Sequence, residues 1–254
     1  MFCIATETGI LPMPVMIYSL LAYAIGLGVL SGFVLFVGAW DFLPRHVDSG
    51  TAPPLVQGLL TDIGLLSLFG LQHSIMARPG FKRALTRLLP AAAERSTYVL
   101  LSALMIALVC AFWQPLPGMA WQVEQPLARG LLIGGYVCGW GMAVWSTFMV
   151  DHFELFGLHQ AWRHLRGRPA PAPAFREASL YRVVRHPMQL GVLVGLWSTP
   201  TMSLGHLLLA LGMTLYVLIG LRYEERDLLA ELGDDYADYK RRVPQLLPLP
   251  RRRR

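Results

Sequence analysis

The sequence predicts an all-α, polytopic membrane protein that forms one transmembrane helix bundle with five or six membrane segments. Three observations predict it: 54% of the 254 residues are hydrophobic, only 15% are charged, and the shortage of charge extends over the whole chain. A soluble domain of this size carries about 25% charged residues. The net charge of +6 comes without a nucleic-acid-binding motif. We therefore expect membrane lipid, and no nucleic acid, among the partners.

Six apolar stretches account for the membrane segments, and they lie near residues 14–39, 55–76, 97–114, 127–150, 188–203 and 205–221. A spanning helix needs about 20 apolar residues, which the first four stretches provide. The last two are short, and Ser-Thr-Pro-Thr at 198–201 separates them. We therefore expect a tight helical hairpin that need not cross the whole bilayer, which leaves five and six spans both open.

The chain is expected to form a single domain over residues 1–254. Its parts are a four-helix part, a loop, a C-terminal hairpin region and a basic tail, at 1–150, 151–187, 188–245 and 246–254. Alternating prolines at 166–175 predict an extended connector inside the loop, because proline interrupts a helix.

The distribution of basic residues predicts the orientation. With six segments, 20 of the 22 Lys and Arg residues fall on one side of the membrane, and only Arg45 and Arg129 fall on the other. Cytoplasmic loops collect Lys and Arg. Both termini, the loop at 77–96 and the loop at 151–187 are therefore predicted to be cytoplasmic.

Polar clusters at the predicted cytoplasmic ends of the segments are candidates for chemistry. His73 lies at the end of the second stretch, eleven residues after Asp62, so the two share a helix face. Asp151, His152 and Glu154 follow the fourth stretch directly. Carboxylates beside a histidine are typical of a base with a tuned pKa, although polar residues also suit an interfacial loop.

Two further clusters flank the predicted hairpin. Pro187 suits the first turn of a helix, and Gly191 permits a close approach to the backbone. The helix start, with Arg182 and Arg185 nearby, suits an anionic carboxylate. Glu224 and Glu225 follow the last stretch, and charge alone indicates a solvated helix end paired with neighbouring arginines.

The order of these elements resembles the isoprenylcysteine carboxyl methyltransferase superfamily, which includes the NnrU-like proteins. The matching elements are Arg-His-Pro-x-x-x-Gly at 185–191, an apolar hairpin, Glu224-Glu225 and Tyr-x-x-Tyr at 236–239. The superfamily has Tyr where this chain has Gln189, and this departure argues against a prenylcysteine substrate.

Over most of its length the chain more closely resembles the bacterial methanethiol S-methyltransferases, which make dimethyl sulfide. The matching motifs are Arg-His-Pro-x-Gln-x-Gly at 185–191, Gln-His-Ser-x-Met-Ala-Arg-Pro at 72–79, Glu-Arg-Ser-x-Tyr at 94–98 and Asp-His-Phe-Glu-Leu-Phe-Gly-Leu-His-Gln at 151–160. His159 stands where that family usually has Arg.

The resemblance implies an enzyme of the bacterial inner membrane that binds S-adenosylmethionine in a cytoplasmic-side pocket and methylates a small apolar thiol. The implied cofactor contacts are Tyr181, Arg182, Arg185, His186, Pro187, Gln189, Gly191, Glu224, Glu225, Tyr236 and Tyr239. A sulfonium methyl is already activated, so we expect no metal. Only a thiolate is a good nucleophile. His152 or His73 is therefore the expected base, with Asp151 or Glu154 orienting the imidazole.

Three alternatives stay open at this stage. The first is a methyltransferase that acts on a prenylcysteine or a lipid-like thiol or carboxylate. The second is an NnrU-like membrane protein without turnover. The third is a membrane oxidoreductase that uses NADPH, for which the chain has no Gly-x-Gly-x-x-Gly fingerprint.

Overall fold

The computed structural model describes residues 11–40, 42–171, 177 and 179–248. The helices are α1 (Pro12–Val37), α2 (Leu55–Ala77), α3 (Pro79–Leu85), α4 (Ala91–Phe112), α5 (Pro126–Val150), α6 (His152–Leu155), α7 (Leu158–Leu165), α8 (Pro187–Trp197), α9 (Leu204–Leu232) and α10 (Asp234–Arg242), with a 3-10 turn at Ser179–Arg182. Two short strands, β1 (Met119–Gln122) and β2 (Thr201–Ser203), accompany them. The predicted all-α architecture is confirmed. The final four arginines and part of the predicted extended connector lie outside the described residues.

Five helices are long and apolar enough to cross a membrane, namely α1, α2, α4, α5 and α9. The sixth apolar segment is α8, whose 11 residues extend about 16 Å against a hydrocarbon core of about 30 Å. The multi-pass prediction is confirmed, and α8 is the short arm of the predicted hairpin.

Helix α9 differs from its predicted extent. It continues to Leu232, well past the expected end at residue 221. Glu224 and Glu225 therefore stand inside a continuous helix, where one side can face protein. The expectation that both acids occupy a solvated helix end is wrong for Glu225, which is only 5% exposed.

The chain divides into two compact units by the contacts within it. The first unit comprises residues 1–36, 61–113 and 151–172, and the second comprises 37–60, 114–150 and 173–254. The segment after α5 thus folds with the first unit, whereas α5 itself belongs to the second.

In the first unit, small and hydroxylated residues join α1 to α4. Ser96 donates a hydrogen bond to Ser19 over 2.8 Å, and Tyr18 donates one to Thr97 over 2.9 Å. A Cβ on Gly26 would lie 2.8 Å from a methyl of Val99. Apolar helices gain little from burial against each other in lipid, so close packing and hydrogen bonds of this kind hold them together.

In the second unit, glycines bring the backbones of α5 and α8 together. A Cβ on Gly139 would lie 2.5 Å from the amide nitrogen of Gly195, and a Cβ on Gly191 would lie 2.6 Å from that of Ala143. Gly139 and Ala143, like Gly191 and Gly195, are four residues apart, which is the small-xxx-small spacing of closely packed membrane helices.

Connections that the sequence places on one side of the membrane lie together in the second unit. Strand β1, between α4 and α5, pairs antiparallel with β2, between α8 and α9. Asp48, from the connection after α1, accepts a hydrogen bond from Ser203. Three predicted same-side connections therefore meet, which agrees with the six-segment arrangement in which α8 and α9 form a hairpin.

Candidate active site

Glu225 is the centre of a buried ionic cluster in the second unit. Arg185, immediately before α8, directs Nε and Nη2 to Oε1 of Glu225 over 2.8 and 2.5 Å. Lys240 of α10 lies 3.0 Å from the other carboxylate oxygen. Arg185 is 4% exposed and Glu225 is 5% exposed. A buried carboxylate is tolerated when it is paired and hydrogen-bonded in this way.

The remaining donors of Arg185 bind backbone. Its Nη1 donates to the carbonyl oxygens of Lys240 over 3.1 Å and of Val243 over 2.5 Å. Its amide donates to the carbonyl of Pro244, and the amide of His186 donates to that of Gln245. Residues 243–247, here called the C-terminal strap, are thereby tied to the segment before α8. The guanidinium that the sequence assigned to a ligand carboxylate is therefore paired inside the protein with Glu225 and with two backbone carbonyls.

His186 extends the cluster towards the second acid. Its Nε2 lies 3.1 Å from Oε1 of Glu225, and its Nδ1 lies 3.8 Å from Oε1 of Glu224. Burial lowers the pKa of His186 below its usual range, and the Glu225 carboxylate counteracts part of this effect. The neutral imidazole of His186 therefore lies between buried Glu225 and exposed Glu224.

The groups that face outward differ from those that hold the cluster. The side chain of Glu224 is 47% exposed, and Gln189 Nε2 lies 3.5 Å from its Oε2. Arg182 is exposed and Tyr181 is half-buried. Burial, followed by the charge of Glu224, raises the pKa of Tyr181 to about 12, so this hydroxyl stays protonated.

The tyrosines of α10 belong to the interior. Tyr236 and Tyr239 are 2% and 3% exposed, and they pack with Val243. The hydroxyl of Tyr239 donates to the carbonyl oxygen of Tyr181 over 2.7 Å, which fixes the turn that carries Tyr181. Pro187 and Gly191 are also buried. Gly191 packs directly against the backbone of α5.

A second polar cluster lies in the first unit, immediately after α5. Asp151 caps α6 by accepting the amide of Glu154 over 2.9 Å, and it lies 3.1 Å from Nδ1 of His159. Glu154 forms a two-point ion pair with Arg163, at 2.7 and 2.8 Å. The two carboxylates thus contact His159 and Arg163, whereas the sequence suggested that one of them orients His152 or His73.

His152 faces the interior of the first unit from the start of α6. Its Nε2 lies 2.9 Å from the hydroxyl of Tyr23, and its ring packs against Phe153 and Phe156, with centroids 5.4 and 4.8 Å away. Burial lowers the pKa of His152, while the charge of Asp151 raises it. An imidazole that is neutral at cellular pH can accept a proton.

His73 uses both ring nitrogens within the same unit. Its Nε2 lies 2.5 Å from the hydroxyl of Tyr98, and its Nδ1 lies 3.0 Å from the hydroxyl of Ser102. The guanidinium of Arg95 lies over the Tyr98 ring and donates to the carbonyl of Leu155 over 2.6 Å. These contacts join α2, α4 and α6.

Asp151, Glu154 and His159 also offer ligand atoms close enough together for a cation. Arg163 already pairs with both oxygens of Glu154, and the imidazole of His159 already meets Asp151. The arrangement is therefore accounted for as an ion-pair network.

Curated relatives decide the family. The chain is 47% identical over 234 residues to methanethiol S-methyltransferase of Mycobacterium tuberculosis. The aligned residues are 92% of this chain and 94% of that protein. It is 46% identical over 234 residues to methanethiol S-methyltransferase 2 of Bradyrhizobium diazoefficiens, with 92% and 90% covered. The chain belongs to the methanethiol S-methyltransferase family.

Membership of the methanethiol S-methyltransferase family confirms the resemblance drawn from the motifs, and with it an enzyme that transfers a methyl group and needs a methyl donor. Nurim of Bos taurus is more distantly similar, at 34% identity over 227 residues, with 81% of this chain and 85% of that protein covered. No protein-family model matches the chain. No solved structure matches it either.

Sequence reasoning missed several partners of the predicted residues. Tyr23 and Arg163 carry no motif signal, because a tyrosine in an apolar span and an arginine in a basic loop are both ordinary. Lys240 falls between the predicted Tyr-x-x-Tyr pair and the tail, in a run of basic residues. The strap was visible as Val-Pro-Gln-Leu-Leu after α10, but nothing local indicates that its carbonyls bind Arg185.

Proposed function

We propose that this protein transfers the methyl group of S-adenosylmethionine to methanethiol and forms dimethyl sulfide. The observation that carries the proposal is the identity of 46% and 47% to methanethiol S-methyltransferases over 92% of the chain. The departure at Gln189 from the prenylcysteine pattern favours a small thiol over a prenylated one.

The outward groups of the second unit fit the methyl donor. Half-exposed Glu224 is a carboxylate that suits ribose hydroxyls or an ammonium, and Gln189 beside it adds an amide. Exposed Arg182 suits the donor's carboxylate. Arg185, Glu225 and Tyr239 are buried and bonded to each other or to backbone, and Tyr236 is buried against Tyr239 and Val243. We therefore assign these four residues to holding the outward groups in place.

The bound donor supplies a methyl group on a positively charged sulfur. We assign His152 as the base that takes the proton of the thiol, because its imidazole is buried, neutral and hydrogen-bonded to Tyr23. The freed thiolate sulfur bonds to the methyl carbon, and the electron pair of the broken bond stays on the donor's sulfur. Asp151 positions His152 by capping α6, and Glu154 holds Arg163.

We also propose the bacterial inner membrane as the location, with both termini in the cytoplasm. The count of 20 basic residues on one side against two on the other supports this orientation. It places the polar groups around Glu224 on the side where a polar methyl donor is available.

The direct test is a headspace assay. Membranes that contain the protein are incubated with methanethiol and S-adenosylmethionine carrying an isotope-labelled methyl group. We expect labelled dimethyl sulfide, and none with membranes from cells that lack the protein. Donor binding without any methylated product would instead favour a protein without turnover. Product from a prenylcysteine substrate alone would favour a different acceptor.

The base assignment has its own test. His152→Ala should lower kcat by about 100-fold or more, the usual contribution of a general base, while the donor's dissociation constant stays unchanged in calorimetry. His164→Gln, a histidine of the same unit in α7, is the matched control and should keep its kcat. Normal dimethyl sulfide production by the His152 variant would remove it as the base.

A further inference from the structure

An apolar groove runs along α8 in the second unit and is closed on one side by the C-terminal strap. The lining residues are Leu190, Leu193, Val194, Trp197, Ser198, Leu246 and Leu247, around a volume of about 420 Å³. We propose that this groove admits the apolar thiol and releases the thioether, and that the strap supplies one of its apolar walls. The proposal rests on the proposed function.

The groove is built by helix geometry and by the strap's backbone bonds. Positions 190, 193, 194 and 197 follow helical spacing and lie on one face of α8. The opposite wall is held in place because the amides of Arg185 and His186 donate to the carbonyls of Pro244 and Gln245, over 2.9 and 3.2 Å. Leu246 follows this anchored pair directly, so the wall is fixed where it meets α8.

One end of the groove adjoins the polar groups assigned to the methyl donor. Leu190 lies one helical turn after His186, and its amide donates to the carbonyl of His186 over 3.0 Å. On the other wall, Leu246 directly follows Gln245, whose carbonyl binds the amide of His186. This end of the groove therefore lies near His186, whose Nδ1 is 3.8 Å from Oε1 of Glu224.

The chemistry of the lining selects the occupant. Among the described residues that line the groove, only Ser198 is polar, so a ligand gains from apolar burial and not from hydrogen bonds. A small alkyl thiol or thioether has this character. The lined face runs over the eight residues 190–197 of α8, about 12 Å, which is shorter than the leaflet depth of about 15 Å that an acyl chain fills.

The first test fills the groove. Leu193→Trp should raise the KM for methanethiol about tenfold, the effect of losing apolar contact worth one to two methylenes, with no change in the donor's dissociation constant. Leu215→Trp, on an exposed apolar face of α9, is the matched control and should leave both quantities unchanged. An unchanged KM in the Leu193 variant, with tightly bound phospholipid recovered from the protein, would assign the groove to an acyl chain and overturn the proposal.

The second test removes the wall that the strap supplies. Replacing Leu246 and Leu247 with Ala should raise the KM for methanethiol by about fivefold, because apolar contact is lost, with no change in the donor's dissociation constant. If the variant melts at a much lower temperature than the wild type, the single change Leu247→Ala, at a residue that is 60% exposed, provides the comparison. An unaltered KM would overturn the role of the strap.

A binding measurement separates the groove from the reaction. In Leu193→Cys, dimethyl sulfide should slow alkylation of the introduced thiol, with the wild type giving the background from Cys3, Cys110 and Cys138. Absence of protection would overturn the groove even in an active enzyme. A wild type that produces no dimethyl sulfide would overturn the proposed function, while protection would still identify the groove as a site for small apolar sulfur compounds.

Discussion

Arg185 and Glu225 are 40 residues apart in the chain and form a buried ion pair, with Nε and Nη2 of the guanidinium 2.8 and 2.5 Å from one carboxylate oxygen. The same guanidinium binds two carbonyl oxygens, that of Lys240 in the last turn of α10 and that of Val243 just after it. One side chain thus joins the segment before α8, the C-terminal half of α9, the end of α10 and the C-terminal strap.

Removing the charge of Glu225 should therefore destabilise the protein strongly. Glu225→Gln is expected to cost about 3–5 kcal/mol, because it leaves a buried guanidinium without its counter-charge. The measurement is the melting temperature in detergent, together with the donor's dissociation constant. Replacing Arg185 and Glu225 together with Met and Leu should recover much of the lost stability. A single variant as stable as the wild type would contradict the structural role of the pair.

The neighbouring acid should behave differently. Glu224→Gln is expected to leave the melting temperature nearly unchanged, because its side chain is 47% exposed, but to weaken binding of the methyl donor by about 10- to 100-fold, as for a lost charged hydrogen bond. Calorimetry measures the affinity. Asp227→Asn, an exposed acid one turn further along α9, is the control. Equal donor affinity in both variants would exclude Glu224 as a ligand.

Acid should destabilise the fold through its buried histidines. Burial lowers the pKa of both His152 and His186, so the unfolded chain takes up protons at a higher pH than the folded one. Stability from these groups is present above the ordinary histidine pKa of about 6.5 and is lost as the pH falls through the lower folded values. The melting temperature should therefore fall between about pH 7 and pH 5. His152→Gln should reduce this slope, and an unchanged slope would assign the effect elsewhere.

The packing of α5 against α8 should depend on the glycines where the two backbones meet. Gly191→Ala and Gly139→Ala place a methyl group within 2.6 Å of backbone atoms of the partner helix and should each cost about 1–3 kcal/mol of stability. Gly141→Ala is the control, because nothing lies within 4 Å of its Cβ position, and it should be neutral or stabilising. Thermal unfolding in detergent compares the three, and equal melting temperatures would contradict the close approach of α5 and α8.

The helices and the polar clusters could be predicted because both depend on local sequence. Apolar runs of sufficient length must be helical in lipid, where every backbone group needs an internal partner. The short α8 was visible because Ser-Thr-Pro-Thr ends it. The full length of α9 could not be predicted in this way. The apolar run stops before Glu224 and Glu225, although the helix continues to Leu232.

The sequence by itself determined that this is a multi-pass helical protein, which family it belongs to, and which short motifs carry its polar residues. Only the tertiary structure decided which of those residues are committed to each other. Charge alone places Glu225 at a solvated helix end, and nothing local indicates that Asp151 meets His159. Distance and burial show Glu225 paired with Arg185 in the interior and Asp151 beside His159, since the strength of an electrostatic contact depends on a separation and a dielectric environment that long-range folding sets.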